Sequence, residues 1–220
     1  MSDQPDVTLN ELEQDALTEL VNVGVSRAAT SLRMMVGHPV LLSVPRVEIV
    51  PRRGAARMIA EYGTPRFVAV CQDFEGDFSG RAMLIFPETK SLELVRAVTG
   101  GELPLEDIVS LEHEALAETG NVILNSCLAT IANMLRRSLR MSLPDVLRGN
   151  GADLFELSDP AKAGDLVLVL YIDFNVAARD IKGYIAMLLD LPAMRALKLL
   201  LGELVRHTEG DTVPRNNVAD

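Results

Sequence analysis

The sequence predicts an α+β fold in which two long helices pack on an antiparallel β-sheet and the chain is internally duplicated. Three observations predict it. A Glu, Asn and Pro triplet with fixed spacing occurs twice, and the Glu and Asn of each copy lie in a long segment with an apolar stripe. Short alternating segments, separated by turn residues, follow each long segment and indicate hairpins of antiparallel strands.

The repeated triplet has identical spacing in its two copies, which lie ninety-nine residues apart. Its members are Glu19, Asn22 and Pro45 in the first copy and Glu118, Asn121 and Pro144 in the second. Flanking identities at the same offset are Ala16/Ala115, Leu17/Leu116, Val23/Val122, Met35/Met134, Ser43/Ser142 and Val47/Val146. An internal duplication explains both the spacing and the flanking identities.

Composition narrows the class of protein. The chain has 220 residues, of which 48% are hydrophobic and 24% charged, as in globular proteins; aromatic residues make up only 4% and predict an aliphatic core. The net charge of −10 disfavours binding to nucleic acid, which needs a basic surface. The acidic first residues and the lack of a long apolar run predict no signal peptide, no membrane insertion and a cytoplasmic location.

In the first half, Thr8 and Glu11 form a candidate capping box that opens a helix to about Met35. Alternating or β-branched residues predict strands over 40–50, 57–62, 67–73 and 80–86. A short helix is expected over 89–98, ending at Gly100 and Gly101, and residues 101–109 are interpreted as a linker.

The second half repeats this plan. A long helix is predicted over 110–140, a strand over 166–174 that resembles 67–74, and a final helix over 192–206. The Ala-Met-Leu of 186–188 matches that of 82–84. We therefore expect residues 1–206 to form a single domain of two repeats, about 8–100 and 110–206, related by a pseudo-twofold axis. Two separable domains are the alternative, and the polar residues 207–220 are expected to be disordered.

Both long helices are predicted to carry an exposed polar stripe. At 100° per residue, the stripes consist of Asp15, Glu19, Asn22 and Ser26 on the first helix and Glu114, Glu118, Asn121 and Asn125 on the second. Apolar residues, Met35 among them, lie opposite. Many polar residues satisfy a solvated position, so the presence of both Glu and Asn in each copy favours a function over simple exposure.

Such a pair is suited to positioning rather than to proton transfer. A carboxylate can anchor a cationic side chain of a partner, and a neutral carboxamide can orient a water molecule by hydrogen bonds. This is enough where the electrophile is already activated, as an acyl phosphate on another protein is. The scattered histidines and the two cysteines, of which Cys127 is expected to be buried, predict no metal site.

The pattern Asp15-x3-Glu19-x2-Asn22-x22-Pro45, with its second copy, resembles the signature of the CheC/CheX/FliY phosphatases of bacterial and archaeal chemotaxis. Free-standing CheC proteins are nearest in layout, since FliY-like members carry a further flagellar-switch domain. Copy two departs at its first position, where Glu114 stands in place of Asp or Ser.

The resemblance implies dephosphorylation of the response regulator CheY at its phosphorylated Asp. Glu19 and Glu118 would bind the receiver's active-site Lys, and Asn22 and Asn121 would align the attacking water. Asp15 and Glu114 would support the two sites, and Pro45 and Pro144 would shape the turn into the following strand. The receiver would hold Mg²⁺, so no cofactor of this chain is expected.

The partners implied are a phosphorylated CheY-like receiver and the receptor deamidase CheD, with the chain itself expected to be a monomer. The alternative function is a non-catalytic adaptor that binds phospho-CheY or CheD. Hydrolysis and binding without hydrolysis are distinguished by the half-life of the receiver phosphate.

Overall fold

The computed structural model describes residues 8–61, 63, 65–99, 104–162, 165–176 and 179–211. Its helices are α1 (Glu11–Val36), α2 (Arg52–Ala60), α3 (Ser91–Val98), α4 (Leu105–Met134), α5 (Gly151–Leu154) and α6 (Leu191–Asp211). Its strands are β1 (Val40–Pro51), β2 (Phe67–Gly76), β3 (Gly80–Pro87), β4 (Leu139–Met141), β5 (Asp145–Gly149), β6 (Leu166–Val176) and β7 (Arg179–Leu189). The predicted class, helices packed on an antiparallel sheet, is confirmed.

All seven described strands belong to one antiparallel sheet of order β1-β6-β7-β3-β2-β4, with β5 also paired to β2. The two halves of the chain interleave: β1 pairs with β6 of the second half, and β4 and β5 pair with β2 of the first. The strand order therefore reads the same from either edge when halves are exchanged. This order is what a duplicated chain would produce, and the duplication itself stays an inference from the sequence.

The pairing register corrects one detail of the repeat. Asp73 pairs with Arg81 across β2 and β3, and Asp173 pairs with Lys182 across β6 and β7. If the two Asp residues correspond in the repeat, then so do their partners Arg81 and Lys182. The next residues, Ala82 and Gly183, then also correspond, and Ala186 is not the counterpart of Ala82. The matched Ala-Met-Leu triplets are thus out of register by three residues, because short apolar triplets recur by chance in strands of similar composition.

Helices cover the two faces of the sheet unequally. The larger core lies under α1, α3, α4 and α6, and the smaller core lies under α2 and α5. On the side of the smaller core, buried Arg52 of α2 connects two later segments of the chain. Its guanidinium donates to Asp165 at 2.8 Å and to Glu156 at 3.4 Å. The two long helices therefore lie on one side of the sheet.

The predicted strand over 57–62 is wrong. Residues 57–60 belong to α2, and Tyr62 lies outside the described residues. The buried positions Arg52, Ala55, Ala56 and Ile59 are spaced by three, one and three residues, which is the spacing of one helix face. The short Met-Ile-Ala run also fits a strand, and only the preceding turn of helix distinguishes the two.

Several helix ends in the structure also differ from the prediction. Asn10 caps α1 in place of Thr8: its side chain accepts from the Glu13 amide and its own amide donates to Glu13, both at 2.9 Å. Met35, expected to face inward, is 41% exposed. Among the described residues, no helix combines the length and the apolar character that crossing a bilayer requires.

In the second half, α4 spans Leu105–Met134 rather than 110–140, so residues 105–109 of the predicted linker are helical. Pro104 precedes the helix, and the rest of that linker, with Gly100 and Gly101, falls in the undescribed range 100–103. The last helix continues past the predicted end at Arg206 to Asp211, and the rest of the expected disordered tail, 212–220, lies outside the described residues.

Candidate functional site

The first polar stripe lies on α1 as the sequence predicts. Asp15, Glu19, Asn22 and Ser26 are all exposed, and the opposite side of the helix is buried against the larger core. The reciprocal cap at Asn10 begins the helix one turn before the stripe, so the stripe stands on regular helix. We call this stripe site one.

The second stripe lies on α4 and is less exposed toward its C-terminal end. Glu114 and Glu118 are exposed, whereas Asn121 and Asn125 are half-buried. We call these four residues site two. The ion pair between Arg148 of β5 and Glu112 of α4, at 2.8 Å, connects the helix to the edge of the sheet. Burial opposes ionisation of Glu112, but hydrogen bonds from Ser91 and Arg148 outweigh it and lower the pKa of that carboxyl.

A glycine explains why α4 lies close to the sheet at site two. A Cβ on Gly120 would stand only 2.4 Å from Cγ1 of Val70 on β2, so the helix approaches that strand without a side chain between them. The corresponding position of α1 is Val21, which is fully buried. The residue after Gly120 is Asn121, and the close approach brings its amide to the strand.

The amide of Asn121 contacts a residue that the sequence analysis does not include among the site residues. Its Oδ1 accepts hydrogen bonds from Gln72 Nε2 at 3.0 Å and from Asn125 Nδ2 at 2.6 Å. Gln72 Nε2 also donates to the backbone carbonyl of Ser142 at 3.0 Å. Both amides of site two are therefore tied to the sheet and to the loop before β5.

Gln72 could have been found from the sequence. The core-facing positions of β2 are Val68, Val70, Gln72 and Phe74, and only Gln72 is polar. In the second half the corresponding strand has Ile172 at that position, which is 2% exposed. A polar side chain in an apolar alternation, present in one repeat alone, is the signal.

Both prolines interrupt an edge strand. In β1 the register with β6 shifts between Ser43 and Arg46, which places Pro45 at a bulge. Pro144 lies between β4 and β5, which both pair with β2. Proline cannot donate to a ladder and is accommodated at such irregularities. Pro45 therefore lies within the edge strand β1 and not in a turn before it, whereas Pro144 lies in the loop directly before β5.

The loop that contains Pro144 is fixed to β2. The Ser142 amide donates to the Asp73 carbonyl at 2.8 Å, and the Asp73 amide donates to Ser142 Oγ at 2.9 Å. The Asp73 carboxylate accepts two hydrogen bonds from Arg81, at 2.7 and 3.1 Å, which lower its pKa. Ser142 is thus held in place to present its carbonyl to Gln72.

The remaining chemistry of the described residues is limited. Cys71 and Cys127 are buried free thiols whose pKa burial raises to about 12, so both are unreactive near neutral pH. Within the described ranges, no group of three or more His, Cys, Asp or Glu side chains could hold a metal ion. Cys127 lies where α1 and α4 meet, 3.2 Å from the position of a Cβ on Gly24.

Known proteins of similar sequence cover most of this chain. No family model matches the chain. It is 23% identical over 203 residues to the CheY-P phosphatase CheC of Bacillus subtilis (strain 168), covering 88% of this chain and 96% of that relative. It is also 23% identical over 183 residues to the flagellar motor switch phosphatase FliY of the same organism, covering 75% of this chain but only 47% of that longer relative.

Among solved structures, Thermotoga maritima FliY has the same fold. The two superpose with a TM-score of 0.68 at 18% sequence identity, covering 90% of this chain and 99% of that one. This likeness is one of fold, and it covers both halves of the interleaved sheet.

Proposed function

We propose, for a chain that belongs to the CheC/CheX/FliY family, that it is a phosphatase acting on the aspartyl phosphate of a CheY-like receiver. The observation that carries the proposal is a Glu and an Asn at the same helical positions of α1 and α4, where both Glu side chains and Asn22 are exposed and Asn121 is half-buried. The CheC and FliY relatives are both named as phosphatases, which supports the reaction class. The CheC relative matches over almost its whole length, which supports it further.

The two side chains of each site have separate tasks in this proposal. Glu19 or Glu118 accepts a charge-assisted hydrogen bond from the receiver's Lys and so orients the docked receiver. Asn22 or Asn121, one helical turn further on, enters the receiver site and holds the attacking water in line with the phosphorus. Neither Asn exchanges a proton. The water oxygen bonds to phosphorus as the bond between phosphorus and the aspartate oxygen breaks, the receiver's Asp leaves as a carboxylate, and the released phosphate keeps the water's protons.

The rest of each stripe supports docking. Asp15 and Glu114 lie one turn before the Glu and add negative charge toward the receiver's Lys. The receiver supplies Mg²⁺ for its own phosphoryl group, and this chain contributes no metal ligand. We propose that both halves act as one domain and that the protein works as a monomer, since each molecule already carries two sites.

The decisive experiment measures the half-life of phosphate on a CheY-like receiver. We expect the wild-type protein to shorten it, each of Asn22→Ala and Asn121→Ala to retain part of the effect, and the double variant to lose it by about 10²-fold or more. Asn133→Ala is the matched control, because Asn133 is an exposed amide on α4 that lies off the stripe.

Receiver binding is measured alongside. Binding by wild type with an unchanged phosphate half-life would contradict the proposal and favour the adaptor, a protein that sequesters the phosphorylated receiver. The Asn→Ala variants should still bind, because the anchoring Glu of each site remains.

A further inference from the structure

The amide of Asn121 is held by a chain of hydrogen bonds that starts at a backbone carbonyl. The Ser142 carbonyl accepts from Gln72 Nε2, which also donates to Asn121 Oδ1, both at 3.0 Å. Asn125 Nδ2 donates to the same Oδ1. Because a backbone carbonyl can only accept, it identifies the Gln72 atom as nitrogen, and the orientation of each later amide follows from the one before.

This chain decides which atoms Asn121 presents. Its Oδ1 already accepts two hydrogen bonds, one for each lone pair. Its Nδ2 hydrogens have no partner among the described residues and are the group left for a docked protein. A water bound by this N–H is held through its oxygen, which keeps a second lone pair for attack on phosphorus.

Site one lacks both supporting residues. Ser26 stands where site two has Asn125, and Ile172 stands where it has Gln72. The exposed Asn22 side chain makes no hydrogen bond within the described ranges. Its amide therefore loses rotational freedom only when a receiver docks.

Burying the Gln72 side chain at this position lowers the free energy of unfolding. It is 2% exposed, and its Oε1 has no hydrogen-bond partner among the described residues. A buried acceptor without a partner destabilises the fold, and an isoleucine, as at position 172, avoids this. A polar residue kept at a position that disfavours it is typical of a functional role.

We propose that Gln72 and Asn125 are positioning residues that fix the Asn121 amide before the receiver docks. The inference rests on the proposed phosphatase function. A group oriented in advance needs no ordering in the transition state, so site two has the higher kcat of the two sites. Docking depends on the exposed Glu of each stripe, so the KM values of the two sites stay similar.

The test gives site two the surroundings of site one. In an Asn22→Ala background, which leaves only site two, the double substitution Gln72→Ile and Asn125→Ser should lower kcat roughly tenfold, about the effect of one lost hydrogen bond. KM should change less than about twofold. An unchanged or higher kcat would overturn the inference.

The reverse graft excludes damage to the fold as the cause. In an Asn121→Ala background, Val21→Gly with Ser26→Asn and Ile172→Gln gives site one the close helix approach and the missing amides, and should raise its kcat. Asn121→Asp keeps the acceptor of both hydrogen bonds but removes the N–H group, so it should lose activity as fully as Asn121→Ala. Activity in the Asp variant would show that the amide hydrogens are not the group presented.

A measurement without receiver separates this inference from the proposed function. Side-chain ¹⁵N relaxation should show a rigid Asn121 amide and a mobile Asn22 amide, and Asn121 should become mobile in the double variant Gln72→Ile and Asn125→Ser. Equal mobility of the two amides in wild type would overturn the inference even if the phosphatase reaction is found. Absence of hydrolysis by wild type, with a rigid Asn121, would instead overturn the proposed function.

Discussion

Site one and site two share the central Glu and Asn and the spacing of their four residues, but they differ in what lies beneath them. On α1 the Asn is exposed and free of side-chain hydrogen bonds within the described residues, whereas on α4 it is half-buried and tied to β2. The difference comes from Gly120, which lets α4 approach the sheet where α1 has Val21. A repeated motif therefore does not ensure repeated side-chain geometry; the neighbouring strand decides it.

The largest expected effect comes from giving α4 the residue that α1 has. Gly120→Val would place Cβ 2.4 Å from Val70, so we expect a loss of about 3 kcal/mol in the free energy of unfolding, from overpacking. Site two should lose activity selectively in an Asn22→Ala background, because the helix can no longer hold Asn121 against Gln72. Urea unfolding and phosphate release measure the two effects.

The matched control for that variant is Gly202→Ala in α6, where the added Cβ meets only Arg206 at an ordinary 3.5 Å and Glu13 at 3.6 Å. It should be neutral or stabilise the helix by up to about 1 kcal/mol. A Gly120→Val protein as stable as wild type would show that α4 does not depend on the close contact.

The next effect should be equal at the two sites. Glu19→Gln and Glu118→Gln each remove a charge that is exposed in both helices, so each should raise KM at its own site by about tenfold, with little change in kcat. Steady-state rates in single-site backgrounds give both constants. Unequal changes would mean that the sites differ in docking as well as in the amide.

A smaller effect is expected from an apolar residue at the start of each stripe. Leu12 and Leu111 occupy corresponding positions one turn before Asp15 and Glu114, and they are 52% and 38% exposed. If a docked receiver covers them, Leu12→Ser or Leu111→Ser should raise KM about fivefold, for roughly 1 kcal/mol of lost apolar burial. Leu199→Ser, at a leucine of α6 that is 69% exposed, should leave KM unchanged.

The smallest effect should fall on the stability of the whole fold. Burial raises the pKa of the Cys127 thiol to about 12, so the folded state favours its neutral form. This stabilisation is complete below the ordinary thiol pKa near 9 and is lost as the pH rises from there toward 12; at pH 9 the loss is about 0.4 kcal/mol. Unfolding curves at several pH values measure this loss. In the Cys127→Ala variant, the free energy of unfolding should fall less steeply with pH.

The elements that carry the site could be predicted from the sequence, because each has a strong period. The apolar stripe of α1 and the alternation of β2, β3 and β6 agree with the structure within a few residues. The short α2 could not be predicted, since nine residues with one buried face also contain a run that suits a strand. The N-terminal end of α4 was also missed, because Leu105 follows Pro104 without a side-chain cap.

The site itself was predictable only in part. Spacing along a helix places Glu19 and Asn22 on one stripe, because local geometry alone determines it. The contact of Asn121 with Gln72 joins residues forty-nine positions apart and depends on how closely α4 packs on β2. Helical periodicity carries no information about that distance, although the glycine that permits it can be seen in the sequence.

The exchange of edge strands between the two halves has a consequence for how such a protein can change. Either half alone would leave a sheet edge open, so a chain with one half should be stable only as a homodimer that restores the missing neighbours. In a homodimer every substitution appears in both copies. Joining the halves in one polypeptide lets each helix acquire its own surroundings, and only then can one active centre specialise while the other keeps its original form.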